Sequence, residues 1–113
     1  MPSPSDIVQA QVEAYNAHDA AAMAGLYAED CVFTDLLGNV TLRGRDAVRE
    51  RFTNTFRNHP QNRCWIKTRF SVGNVVVDHE CGERSPGGEK FEVVAVYTVR
   101  DGLIARLMMG KGD

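Results

Sequence analysis

The chain has 113 residues, 43% of them apolar and 25% charged, proportions that fit one globular domain with one continuous core. A formal net charge of −2 offers no basic footprint for nucleic acid. No apolar run approaches the roughly 20 residues of a membrane span.

The expected elements follow in chain order. Ser5 or Ser3 caps a first helix with Pro4 at an early position, and Ile7, Val8, Val12 and Tyr15 line one face to about His18. Asp19 caps a second helix with Met23, Leu26 and Tyr27 on its apolar side, ending at Glu29-Asp30. A strand from Cys31 to Asp35 comes next, then a turn at Leu36 to Asn39 and a brief strand over Val40 to Leu42. Gly44 breaks the chain. A third helix runs from about Arg45 to Asn58 with Val48, Phe52, Thr55 and Phe56 on one side, and Pro60 stops it. Its arginines alternate with Asp46 and Glu50, the pattern of a solvated face.

From Cys64 the period changes to two. Cys64, Ile66, Thr68, Phe70 and Val72 share one face, with Trp65 on the other. Gly73-Asn74 and Asp101-Gly102 are hairpin turns, and Ser85 to Gly88 is a further turn. Strands therefore cover about Val75 to Cys81, Phe91 to Arg100 and Leu103 to Met109, with a loose tail over Gly110 to Asp113. Strands gathered after helices indicate an α+β domain in which helices cover one face of a bent sheet.

Cys31, Cys64 and Cys81 are odd in number and lack zinc spacing, so they read as free thiols in a reducing cytoplasm, with no metal site. Met1 to Ser5 does not read as a leader. A cytoplasmic location is expected. No glycine-rich loop precedes a helix in a way that would cradle phosphate, and no cofactor is expected.

Four stretches carry a family resemblance. They are Ala14-Tyr15-Asn16-Ala17-His18-Asp19, the run from Leu26 to Asp35, the run from Leu42 to Arg49, and the run from Val96 to Ile104. Together they resemble the nuclear transport factor 2-like superfamily, in its SnoaL-like and ketosteroid-isomerase-like branch, over nearly the whole chain. The resemblance implies a cone: a curved, mainly antiparallel (mixed) sheet wrapped around three N-terminal helices, with a pocket at the open end. It also implies a homodimer through the outer sheet face.

Asp35 falls where that branch carries a catalytic base, a carboxylate that takes a proton beside a carbonyl and returns it elsewhere. Such a base needs a largely apolar pocket and donors for the enolate oxygen. At the two donor places the chain has Gln11 instead of a tyrosine and Val96 instead of an aspartate. If Val75, Val77, His79 and Cys81 share the inner face, His79 points into the cone as acid or orienting partner, and Asp78 and Glu80 face out. The expected pocket comprises Gln11, Tyr15, Tyr27, Phe52, Phe56, Val94, Val96, Leu107 and Met109. For the strand from Phe91, alternation buries Phe91, Val93, Ala95 and Tyr97, whereas the resemblance turns Val94 and Val96 inward, and the pocket above follows the latter.

The expected function is general acid/base chemistry on an apolar ketone, of a steroid delta-isomerase-like or polyketide-cyclase-like kind, and the expected partner is a small apolar molecule. The alternative is a non-catalytic ligand-binding or dimerisation domain of the same fold.

Overall fold

The computed structural model describes residues 2–111. Its elements are α1 (Pro4–Asn16), α2 (Ala20–Ala24), β1 (Tyr27–Thr34), β2 (Val40–Arg43), α3 (Arg45–Asn58), β3 (Arg63–Val72), β4 (Val75–Glu83), β5 (Lys90–Arg100) and β6 (Leu103–Lys111). Ser3 caps α1 in a reciprocal box with Asp6, each side chain accepting from the other's backbone N–H. Asp19 caps α2 by accepting from the Ala22 N–H at 2.9 Å.

One mixed sheet has the order β2-β1-β6-β5-β4-β3. Strands β3 to β6 form the expected antiparallel meander, and β1 closes onto β6 in parallel. The Asp101-Gly102 turn has two positive φ angles, 53° and 78°, which match the right-handed twist of its strands. The helices cover the concave face, α1 against β3 and β4 and α3 against β1 and β2. The core is continuous and includes Val8, Val12, Met23, Phe33, Val48, Val76 and Ile104.

Three element boundaries differ from expectation. Strand β1 starts at Tyr27, not Cys31, because α2 ends at Gly25 and the Leu26 carbonyl accepts from the Ile104 N–H at 2.9 Å. Tyr27 is thereby a strand residue, fully buried in the sheet. The strand stops at Thr34, and Asp35 belongs to the following turn. At the far end Gly110 and Lys111 continue β6, while Gly112 and Asp113 lie outside the described residues.

The largest correction is a change of face within the meander. The register of β3 against β4 slips between Ile66 and Thr68. Cys64 and Ile66 face inward as expected, but the extra residue turns Thr68, Phe70 and Val72 outward and Arg69 inward. Phe70 and Val72 are consequently 57% and 71% exposed. Strand β4 is also in the opposite phase. Val76 and Asp78 are buried, and His79 and Cys81 lie on the convex face. On β5 the simple alternation holds: Val93, Ala95, Tyr97 and Val99 are buried, and Val94 and Val96 face out. The outer face thus shows Trp65, Phe70 and Val94.

The slip makes the burial of Asp78 possible. Its carboxylate is fully shielded from solvent and accepts two bonds from the Arg69 guanidinium, at 2.6 and 2.9 Å. Arg69 also donates to Gln9 of α1 at 2.9 Å, so the pair pins the helix to the sheet. Removing one partner of a buried ion pair leaves a charge that nothing offsets, at a cost of about 3–5 kcal/mol. Arg69→Met is therefore expected to destabilise by about that much in urea unfolding, and Arg69→Met with Asp78→Leu to recover most of the loss. Equal losses in the single and double variants would show that the pair is not the reason.

Candidate functional site

A cavity of about 210 Å³ opens between the helices and the concave sheet face. From α1 it takes Gln11 and Tyr15, from α3 Arg51, Phe52 and Thr55, and from β1 Tyr27 and Phe33. Strand β4 contributes Glu80, the residue just after it Arg84, β5 Phe91, Val93 and Tyr97, and β6 Leu107, Met109 and Lys111. Six expected pocket residues meet here: Gln11, Tyr15, Tyr27, Phe52, Leu107 and Met109.

The others are elsewhere. Phe56 lies in the core, its ring 5.4 Å from that of Tyr15 and stacked on His18 at 5.0 Å. Val94 and Val96 sit on the convex face because β5 keeps its alternation. Asp35 closes the turn after β1. Its carboxylate accepts from the Leu37 and Asn39 N–H groups, both at 2.9 Å, and from the Asn39 amide at 3.0 Å. The bonds from Asn39, with those from Leu37 and Gly38, hold this surface carboxyl below its ordinary range. His79 is on the convex face, hydrogen-bonded to Glu92. Asp35 and His79 are thus not brought together, and neither lines the cavity.

The outer cluster has a feature that the linear spacing hides. His79, Cys81 and Glu92 place one donor atom each within 4.8 Å of one another, because Glu92 is the cross-strand partner of Cys81. Two of the three already satisfy each other.

Inside the cavity the acid is Glu80. It is half-buried, and it is the one carboxyl among the described lining residues. Burial pushes it up to about 7. The Cys64 thiol beside it pulls the other way, the Asp78 charge adds to the rise, and Arg69 opposes it. Two fully buried phenols, Tyr27 and Tyr97, are near enough to feel the Glu80 charge, and burial holds both well above their ordinary range. They are therefore neutral O–H groups at any physiological pH. Tyr27 donates to the Gln11 side-chain oxygen at 2.6 Å, which leaves the Gln11 amide N–H₂ to donate elsewhere. Burial raises Tyr15 to about 12, and it accepts from the Asn62 amide at 2.5 Å.

The mouth is shaped by a glycine. Any side chain at Gly82 would meet the Phe91 ring at 2.1 Å, so the ring lies flat across β4 only because no Cβ stands there. The Arg84 guanidinium sits over that ring, 4.6 Å from its centre.

Glu80, Tyr97, Arg84 and Phe91 are pocket residues that the sequence reading left out. For Tyr97 and Phe91 the signal was present in the alternation of β5. For Glu80 it was not. Val75, Val76 and Val77 are equally apolar, so the strand has no readable inner face. Burial of Asp78 then depends on Arg69, which reaches it only through the slip in β3.

No protein of curated function matches the sequence. The profile of the SnoaL-like domain family matches residues 8–107. Among solved structures, an uncharacterized cystatin-fold protein from Novosphingobium aromaticivorans superposes with a TM-score of 0.89 at 28% identity, over 97% of this chain and 99% of that one. A protein from Sinorhizobium meliloti, provisionally named a polyketide cyclase, gives 0.77 at 22% identity over 97% and 95%. One from Streptomyces galilaeus, provisionally named a hydroxylase, gives 0.79 at 12% over 96% and 78%. At the latter two identities the likeness is one of fold. With the profile spanning most of the chain and the cone built as described, the protein belongs to the SnoaL-like domain family.

Proposed function

We propose that the protein is an enzyme that moves a proton on a small ketone-like molecule held in the cone, with Glu80 as the group that takes and returns it. One observation carries this reading: a carboxyl in a phenol-lined, otherwise largely apolar cavity, held by burial near 7. A proton carrier is most effective when its pKa lies near the working pH, since it then both accepts and releases readily. Ionised Glu80 takes the proton from a carbon beside the carbonyl. The charge that develops on the carbonyl oxygen meets neutral donors, the Tyr97 phenol and the Gln11 amide, whose oxygen Tyr27 already holds. Protonated Glu80 then delivers the proton to another carbon of the same molecule, and no net proton is consumed. Donors fixed in a dry site are worth far more to a forming oxyanion than water is. The provisional cyclase name of the Sinorhizobium meliloti protein is compatible with chemistry of this kind.

Two measurements test the role of Glu80. Thermal-shift screening of small enones and cyclic ketones first supplies a responsive compound, because a ligand of the folded state raises apparent stability. On it, Glu80→Gln is expected to lower kcat by about 10²–10⁴ with KM little changed. The wild-type kcat/KM should rise with pH through about 7, as Glu80 loses its proton. Asp35→Asn should leave turnover unchanged. Wild-type turnover in Glu80→Gln removes Glu80 from the mechanism.

The second measurement needs no substrate. The folded-state pKa of Glu80 is raised from 4.5 to about 7, so the folded form holds its proton longer than the unfolded chain. Its contribution to stability is complete below about 4.5 and is lost as pH rises through about 7. At about 1.4 kcal/mol for each tenfold change in proton affinity, Glu80→Gln should gain about 2–3 kcal/mol on wild type between pH 5 and pH 8. Urea unfolding of both proteins at the two pH values reads this, and a difference independent of pH counts against a buried, near-neutral Glu80.

A further inference from the structure

We infer that the molecule taken by this cavity is a small carboxylic acid, with its apolar body inside and its carboxylate held at the mouth by Arg84 and Arg51. The inference rests on the assignment of the cavity as the substrate site and adds the chemical class of the substrate.

The charges that line the cavity are unevenly placed. The one acid is Glu80. The cations are Arg51 from α3, Arg84 from the end of β4 and Lys111 from the end of β6, three separate elements converging on one opening. The ion pairs among the described residues are Arg63 with Glu83, Arg69 with Asp78, His79 with Glu92 and Arg100 with Asp30. None of them uses a cation of the mouth. Glu50 lines a neighbouring groove that shares Arg51 and Arg84, but it does not line the cavity and forms no ion pair there. The chain as a whole carries a formal charge of −2, so a cationic opening is not a general property of its surface.

The two arginines are also held in place. Arg84 rests over Phe91, which Gly82 allows to lie flat. The Arg51 guanidinium lies 6.0 Å from the centre of the Phe33 ring and donates to the Thr41 carbonyl at 3.1 Å. A guanidinium meets a planar carboxylate with two parallel bonds, and the single hydrogen bond of Arg51 to Thr41 leaves further N–H groups for one. Both rings belong to the cavity wall, so an apolar body inside leaves its charged end at these donors.

Size narrows the class further. At about 30 Å³ per water-sized group, 210 Å³ encloses roughly seven such groups, which suits a body of about one ring.

The test compares matched acids and alcohols, from benzoate with benzyl alcohol to 2-naphthoate with 2-naphthalenemethanol, by calorimetry and thermal shift. The acid of at least one pair is expected to bind about tenfold tighter than its alcohol, with the preference shrinking as salt is raised. Arg84→Leu and Arg51→Leu should each remove most of that preference while leaving alcohol binding and apo melting temperature near wild type. Arg51→Lys, which keeps the charge and loses the fork, should recover it in part. No acid preference anywhere in the series, whether through equal binding or none, overturns the inference, as does a preference that survives in both leucine variants. Glu80→Gln separates this from the proton-transfer reading. Acid preference kept with turnover lost supports both, and acid preference kept with turnover intact removes only the catalytic role.

Discussion

Two carboxylates stand two residues apart on the concave face of β4, and the fold supplies a partner for only one of them. Asp78 receives both arms of Arg69, so its charge is offset where it is buried. Glu80 receives no cation, only the flank of the Cys64 thiol, and its proton is the cheaper remedy for burial. The two groups are linked, because the Asp78 charge pushes Glu80 up while Arg69 draws it down. The pair sets the background against which burial decides the outcome.

That background depends on α1 staying where it is. Arg69 reaches past Asp78 to Gln9, and the other end of the helix is fastened through backbone-mimicking contacts. The Asn16 amide donates to the Cys64 carbonyl at 2.9 Å and accepts from the Cys64 N–H at 2.8 Å, so a side chain pairs with the edge of β3 as another strand would. Asn62 and His18 extend the fastening to the Tyr15 hydroxyl. With both ends of α1 tied to β3, Gln11 and Tyr15 are held over the cavity rather than merely near it, which is what a site on a rigid scaffold requires.

Much of the fold was legible because its signals are local. Caps, helical spacing, the Asp101-Gly102 turn and the period-two run after Cys64 each depend on neighbours a few residues apart. The site was legible where it lies on helices or where alternation is strict, as at Gln11, Phe52, Leu107 and Met109. It was lost where one residue of register decides the answer. The extra residue between Ile66 and Thr68 reverses which side chains of β3 face inward, and no turn residue announces it. Three consecutive valines remove any preferred face from β4. His79 and Cys81 then look more suited to the interior than Asp78 and Glu80, and that judgement fails once Arg69 arrives from a neighbouring strand.

The placement of Asp35 bears on what makes a carboxylate reactive in a cone of this kind. Every concave-facing position of the sheet converges on the same space, so several strands are able to present an acid there. What separates the candidates is how much each is already satisfied. Asp35 accepts from two backbone N–H groups and an amide, which lowers its proton affinity. A carboxylate stabilised that well in its charged form has little drive to take a proton from carbon, whatever its position along the chain. Asp78 is paired with a guanidinium and does not line the cavity. Glu80 is the one left short of donors, beside phenols that burial keeps neutral. The physical criterion for the proton carrier is an unmet demand for hydrogen bonds, and in this cone it selects β4 over the end of β1.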